Sequence, residues 1–481
     1  MNELAFSSIK TLQEKIARRD LSAPELLEYS LKRFAQFDQR IGSALELFDT
    51  DSIRAASNAQ GPLAGIPGLI KDNICQKNRT ASCASKILRN YKAPYDATAI
   101  ARLKTAGALC VGRANMDEFA MGSSTETSAY QKTRNPWNTE LVPGGSSGGS
   151  IAAVAAGFVP WALGSETGGS VRQPAALCGI VGLKPTYGLI SRYGLIAYAS
   201  SLDQIGIATR TTYDNALVLS TLAGHDAQDS TSRPVAAQDY TQGLTGTLKP
   251  GFTLGVLDNA LEAAGFHPEV YAALNEAIKQ FERLGATIKR IKLPMMNYGA
   301  AAYFIISRAE AASNLARFDG VRYGYRAKDA QTIADMYART RQEGFGFEVT
   351  SRILVGNYVL SAGHADEYYN NARTVQGFIR QEFTQAFQEV DLLLSPVSPA
   401  PAFKFDAFQD NQLQMDLQDY FTASINLAGI PALSIPCGMT HDNLPIGLQL
   451  IGPDLSEAEI FKAAYAYEQA TEWHTLHPIL T

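Results

Sequence analysis

Histidine is scarce in this chain. Only six occur in 481 residues (His225, His267, His364, His441, His474 and His477), and none lies between Gly65 and Thr209, where glycine and serine concentrate. A serine hydrolase that relies on histidine has no candidate base in that stretch. Cysteine is scarce too. Cys75, Cys83, Cys110, Cys178 and Cys437 form no Cys-x-x-Cys pair, which argues against structural zinc and against a disulfide framework. A reducing cytoplasm is the simplest setting. No Gly-Lys dipeptide occurs, so a Walker A phosphate loop is excluded. The longest near-apolar stretch, Ile151 to Gly164, has 14 residues and contains Pro160; a bilayer span takes about 20. Met1-Asn2-Glu3-Leu4 has no basic region leading into an apolar core, so neither a secretory signal nor a membrane partner is expected. The missing Arg/Ser-rich leader points to a bacterial rather than an organellar source. The net charge of −5 offers no global positive field to nucleic acid. The arginines at 317, 322, 326, 339 and 341 read as solvated helix faces.

What is present is an ordinary globular composition, 46% hydrophobic and 19% charged. No long linker, charge block or internal repeat divides it. Ser22-Ala23-Pro24-Glu25 is a capping box that opens a helix, and Asp96 is expected to cap a second helix running to Ala106. Strands are expected at Ala108–Val111, Phe158–Leu163, Gln204–Ala208, Leu254–Leu257, Thr287–Leu293, Val390–Leu394, Ala432–Ile435 and Ile446–Ile451. Helical patterns lie between them, at Asn215–Ala223, Pro268–Leu284, Ala300–Phe318, Phe347–Leu360 and Ser456–Glu472. Alternating strands and helices imply an α/β sheet covered by helices. The expected organisation is one domain over 1–481, with a catalytic core at about 60–210 and a helix-rich insertion at about 297–389.

Three segments carry chemistry. Lys71 ends the apolar run of Gly68-Leu69-Ile70-Lys71-Asp72-Asn73. Ser146 sits in Pro143-Gly144-Gly145-Ser146-Ser147-Gly148-Gly149-Ser150. Ser170 follows two glycines in Gly164-Ser165-Glu166-Thr167-Gly168-Gly169-Ser170-Val171-Arg172. A serine needs a base beside it, and Lys71 is the nearest candidate. To accept a proton it must be neutral, against a reference pKa near 10.4, and burial supplies such a shift. Glycines just before a nucleophile let backbone N–H groups converge on a tetrahedral oxyanion. Gly144 to Gly148 also fits Gly-x-Ser-x-Gly, but no strand precedes it as a nucleophile elbow requires. The Ser7-Ser8-Ile9-Lys10 match to Ser-x-x-Lys lacks its companion motifs.

These motifs resemble those of the amidase signature family over nearly the whole chain, most densely from Gly65 to Thr209. The resemblance implies the amidase signature fold: α/β, with a central mixed β-sheet covered by helices on both faces. It implies a relay of Lys71, a cis-peptide Ser146 and the nucleophile Ser170. It places the oxyanion hole on the backbone of Thr167, Gly168, Gly169 and Ser170. No metal ligand is expected in this chain.

Within that family, Asn314-Leu315-Ala316-Arg317-Phe318-Asp319-Gly320-Val321-Arg322-Tyr323-Gly324, Ser351-Arg352-Ile353-Leu354-Val355-Gly356 and Asn426-Leu427-Ala428-Gly429-Ile430-Pro431-Ala432 are similar to the A subunits of aspartyl/glutamyl-tRNA amidotransferases. That branch implies glutamine as substrate. Arg352 is placed on its α-carboxylate, Asp419 on its α-ammonium and Tyr303 against the pocket; a zwitterion needs one cation and one anion, and arginine grips a carboxylate with two bonds. It also implies B and C subunits as partners in a heterotrimer, and misacylated tRNA met mainly through the partner. ATP and Mg²⁺ are then cofactors of the partner and not of this chain. The chain departs from the commonest family pattern at Glu166, Ile207, Ser351 and Pro396-Val397-Ser398-Pro399. Two alternatives stand beside this reading: a stand-alone amidase on small or aryl amides, and an assembly scaffold that kept the motif.

Overall fold

Short runs of four to eight residues, apolar except at the edge, form one sheet in the computed structural model, which describes residues 2–55, 60–261, 266–408 and 411–480. The strands are β1 (Ala44–Leu47), β2 (Pro67–Lys71), β3 (Leu109–Ala114), β4 (Trp161–Glu166), β5 (Val181–Lys184), β6 (Gln204–Thr209), β7 (Thr253–Leu257), β8 (Thr287–Ile291), β9 (Leu392–Pro396), β10 (Ala432–Met439) and β11 (Pro445–Ile451). Among the described residues they pair in the order β1-β3-β2-β4-β6-β5-β10-β11-β9-β7-β8. β2 lies parallel to β3 and β4, and β7 is parallel to β8 and β9. The other pairs are antiparallel, so the sheet is mixed. Every residue of β2, β4, β5, β6, β9 and β11 is buried, which is why these strands read as continuous apolar runs.

Alternate residues serve opposite faces. Ile70 and Leu163 enter one apolar layer, whereas Leu69 and Ala162 enter another together with Ala152 and Ala155. Helices cover both faces. Six of them matter below: α1 (Ala23–Ile41), α2 (Gly148–Ala155), α3 (Arg172–Cys178), α4 (Gly299–Leu315), α5 (Phe347–Leu360) and α6 (Tyr420–Ala428). Between β8 and β9 the described chain adds no strand. Its helices, α4, α5 and Asn371–Ala386 among them, build a third apolar layer around Ile306, Leu315, Val349 and Phe383.

The capping box at α1 forms as expected: Glu25 N–H donates to Ser22 Oγ (3.3 Å) and Ser22 N–H to Glu25 Oε2 (2.8 Å). Other boundaries moved. Asp96 does not cap the helix Thr98–Thr105, whose N-cap is Ala97. Its carboxylate instead accepts from Lys77 N–H (2.8 Å) and pairs with Lys104 (2.9 Å). β4 starts at Trp161, not Phe158, because Phe158 N–H is spent on Ala153 O (2.9 Å), closing the preceding helix, and Pro160 has no N–H to give. The four-residue strands β1 and β5 escaped the sequence pattern, since so short a run declares itself only through its partners. Ser8 caps the helix Ile9–Ala17, which gives Ser7-Ser8-Ile9-Lys10 a structural role.

Candidate active site

Lys71 closes β2 with its side chain on the Leu69 face, toward the start of α2. It is wholly buried. Its Nζ lies 2.7 Å from Ser146 Oγ, 2.8 Å from Ser147 Oγ and 3.0 Å from Ser165 O. Burial lowers its pKa from 10.5 to about 7, against the pull of nearby Asp117, Asp203 and Glu166, which favour the charged form. A shift of that size holds about 5 kcal/mol against the ammonium.

Hydrogen-bond directions fix where the free-base lone pair points. The Ser147 hydroxyl donates to Ser165 O (3.0 Å), so toward Lys71 it can only accept. Ser165 O accepts as well. A neutral amine has two N–H bonds; given to these two acceptors, they leave its lone pair facing the Ser146 hydroxyl. A neutral Lys71 held this way can accept a proton from Ser146.

The Ser146 loop is clamped from three sides. The Gly145–Ser146 peptide bond is cis. Asp117 N–H donates to Ser146 O (3.2 Å), Gly145 N–H donates to Gln173 Oε1 (3.0 Å), and the Thr125 hydroxyl donates to Gly144 O (2.8 Å). The Asp117 carboxylate accepts from Thr125 and Thr127, and burial raises its pKa to about 6.

Ser170 lies on the turn between β4 and α3, where its carbonyl accepts from Ser147 N–H (3.1 Å). It is 4% exposed, while Ser146 and Lys71 are fully covered, so of the three Ser170 is the one open to a ligand. Glu166 fixes the turn. Its Oε2 accepts from the N–H groups of Val171 and Arg172 (both 3.1 Å), and its Oε1 accepts from Arg172 Nε (2.8 Å). Burial works against this carboxylate, but the Arg172 charge and hydrogen bonds outweigh it and hold the pKa below the usual range. Arg172 also reaches Gln449 and Asn426. Among the described residues, the N–H groups of Gly168, Gly169 and Ser170 donate to no protein acceptor. Three free donors on one turn that ends in a serine suit a developing oxyanion.

Both glycines are required by close approach. A Cβ at Gly168 would fall 2.5 Å from the Tyr303 ring. At Gly169 it would fall 2.4 Å from Thr422 Oγ1 and 2.7 Å from Asp419 Oδ1. Tyr303 on α4 and Asp419 at the start of α6 therefore press on the turn itself. Asp419 Oδ2 accepts from Ser123 Oγ (3.0 Å), but Oδ1 is buried with no partner among the described residues, and burial pushes the carboxyl pKa up to about 7. Arg352 on α5 donates from Nε to Glu348 Oε1 (2.7 Å) and from Nη1 to Tyr198 Oη (2.7 Å), and Nη2 lies 3.8 Å from Asp416. Among the described residues, that leaves three of its five N–H bonds without a short partner. Asp203 joins the clamp to the turn: it accepts from Thr167 Oγ1 (2.7 Å) and from the N–H groups of Tyr198 (2.8 Å) and Ala199 (2.9 Å).

The structure thus joins Lys71 to Ser146, joins the neighbouring Ser147 to the Ser170 carbonyl, and presses Tyr303 and Asp419 on the turn, while Arg352 reaches it only through Tyr198 and Asp203. Sequence reasoning missed Ser147, Asp117, Asp203, Ser123 and Arg308. Arg308 binds Asp416 (2.9 Å) beside Arg352 and supplies a second cation. Ser147 was the one in plain view, adjacent to Ser146. Among the described residues no group of three or more His, Cys, Asp or Glu side chains could hold a metal ion, and no helix is long and apolar enough to cross a membrane.

A buried lysine set against a serine loop, facing a glycine turn that ends in a serine, on an eleven-stranded mixed sheet, defines a class. The chain belongs to the amidase family, whose sequence profile matches residues 25–461. Within that class it is 50% identical over 484 residues to the A subunit of a glutamyl-tRNA(Gln) amidotransferase from Cyanothece sp., covering 99% of this chain and all of the relative. The crystal structure of the corresponding protein from Thermotoga maritima superposes with a TM-score of 0.85 at 39% identity, covering 99% of this chain and 98% of the other. A peptide amidase from Stenotrophomonas maltophilia superposes at 0.80 with 30% identity over 97% of each chain.

Proposed function

We propose that this chain is the glutamine-hydrolysing subunit of a tRNA-dependent amidotransferase. Ser170 Oγ attacks the side-chain amide carbon of glutamine. Its proton passes to Ser146, and the Ser146 proton to Lys71, whose lone pair awaits it. The free N–H groups of Gly168 to Ser170 take up the oxyanion. Lys71 then returns the proton through Ser146 to the leaving nitrogen, ammonia departs, and a glutamyl ester remains on Ser170. Water, deprotonated along the same relay, hydrolyses the ester to glutamate.

The observation that carries the substrate assignment is Asp419. A carboxylate with one buried, unpartnered oxygen beside the oxyanion turn is costly unless a ligand satisfies it. An α-ammonium does so, Tyr303 closes the pocket behind it, and Arg352 has N–H bonds left for an α-carboxylate. A stand-alone amidase acting on neutral amides has no use for both charges. By the likeness to A subunits, the ammonia goes to a B subunit that uses ATP and Mg²⁺ to amidate misacylated Glu-tRNA(Gln), with a C subunit completing a heterotrimer in the cytoplasm. The chain functions as one domain, its core at about 60–210 carrying the relay and the helix-rich stretch at about 297–389 supplying Tyr303 and Arg352.

The test compares Arg352→Ala on two substrates. Glutamine kcat/KM should fall roughly 100-fold or more, while an uncharged aliphatic amide should lose little. Equal losses on the two substrates overturn the pocket assignment.

A further inference from the structure

Away from the relay, a cavity of about 210 Å³ opens on the surface where the segment around Tyr91 and Tyr95 meets the loop after α4. Tyr91, Tyr95, Phe318, Tyr323 and Arg317 line it, and no carboxylate does. The volume is below that of pockets for drug-sized ligands and suits a single ring system. Tyr95 and Tyr323 are over a third exposed; Tyr193 lies 5.0 Å from the Tyr95 ring and Phe318 meets the Tyr323 ring edge-on at 6.1 Å, and the remaining ring surface of each faces solvent. The Tyr91 and Tyr323 rings lie 5.7 Å apart at 52°.

The platform is held rigidly. Phe318 packs on Phe119 and on Phe345 in the interior. Tyr325 N–H donates to Ile87 O (2.7 Å), and Arg326 Nε donates to Gly320 O (2.5 Å). Arg341 Nη1 donates to Leu315 O (2.8 Å). These arginines staple the loop and are not the solvated helix faces their spacing suggested. Two others stay at the rim. Among the described residues Arg317 bonds Asn314 alone, through Nε and Nη2, and Arg322 lies 5.8 Å from the centroid of the Tyr323 ring. Asp96 pairs with Lys104, Asp72 with Arg113, and Asp319 accepts from the N–H of Val321.

Aromatic faces with an arginine rim are the chemistry that holds an unpaired nucleotide, the base stacked and the phosphate met by guanidinium. We propose that this cavity binds one nucleotide unit of single-stranded RNA, with the base laid on the exposed surface of Tyr95 and Tyr323 and the phosphate at Arg317 and Arg322. The inference stands apart from the glutaminase reading and uses none of its residues.

The test is fluorescence anisotropy of a labelled eight-nucleotide single-stranded RNA with the full chain, at low and moderate salt and with AMP as competitor. The RNA should bind, and more weakly as salt rises. Tyr323→Ala should weaken binding roughly 5- to 100-fold. Arg322→Glu, a change at an exposed side chain, should weaken it and flatten the salt dependence. Ammonia release from glutamine should be unchanged in both. Displacement by AMP identifies a free nucleotide as sufficient; retention against AMP identifies a nucleotide within a strand; either result supports the site. RNA carrying 4-thiouridine should crosslink to the peptides holding Tyr91, Tyr95 or Tyr323, which locates the site even if Tyr323→Ala fails to fold. No binding, affinity indifferent to Arg322→Glu, or crosslinks confined to another surface overturn the proposal and leave the cavity to a protein side chain.

Discussion

Asp419 stands against Gly169 so closely that a methyl group cannot come between them: a Cβ on Gly169 would sit 2.7 Å from Asp419 Oδ1. The turn proposed to hold the oxyanion and the carboxylate proposed to hold the α-ammonium are therefore one packed unit. Gly169→Ala should lower kcat about 100-fold, the usual size of a lost oxyanion donor, and raise KM as well, because Asp419 must move. Steady-state ammonia release, with a thermal melt to check folding, measures both. A loss in kcat alone would uncouple the two.

The pH profile follows from two buried groups. Lys71 accepts a proton only when neutral, above about pH 7. Asp419 is ionised only above about pH 7, raised by burial. Both changes disable the free enzyme on the acid side. Glutamine kcat/KM should fall below pH 7 as the square of the proton concentration, and kcat only as its first power, since a bound ammonium keeps Asp419 ionised. In Asp419→Asn the kcat/KM limb should become first-power, at much lower activity. A profile flat down to pH 5 contradicts the neutral-lysine assignment.

In the proposed relay, Ser147 orients the base. Ser147→Ala removes the acceptor 2.8 Å from Lys71 Nζ and frees the amine to rotate. The expected loss is roughly 10- to 100-fold in kcat with little change in KM, read from initial rates over a range of glutamine concentrations. Ser147→Thr, which keeps the hydroxyl, should recover part of it.

Lys71→Met should abolish ammonia release and yet favour folding under acid conditions. The folded-state pKa is lowered, so between about pH 7 and 10.5 the unfolded chain binds more protons and stability rises with pH. Below pH 7 the cost of the buried ammonium is present in full. The melting temperature of the variant relative to the parent should be highest below pH 7 and should fall as pH rises toward 10.5. The upper bound on the gain is about 5 kcal/mol, less whatever the stranded Ser146 and Ser147 hydroxyls cost.

The sequence carried more of the site than of its support. Lys71, Ser146 and Ser170 sit in short motifs whose residue types state a chemistry, and they were legible at once. The groups that hold them were not. Asp203 is 36 residues from Thr167, and Ser123 is 296 from Asp419; ordinary polar residues acquire such roles only when packing brings them together. The fold divided along the same line. Long strands buried on both faces were visible as apolar runs, whereas β1 and β5 depend on neighbours already in place. Asp96 looked like a helix cap because local pattern favours aspartate there, but the Lys77 N–H and the Lys104 ammonium compete for the same oxygens and hold them.

The central claim is that Ser170 becomes acylated, with Lys71 and Ser146 serving it. A glutamine analogue bearing an electrophilic carbon in place of the side-chain amide tests this directly. After incubation and proteolysis, mass spectrometry should find one adduct, on the peptide and at the side chain of Ser170. The adduct should be absent in Ser170→Ala and slowed by orders of magnitude in Lys71→Met. An adduct on Ser146, or rapid labelling of Ser170 that ignores the loss of Lys71, would contradict the account.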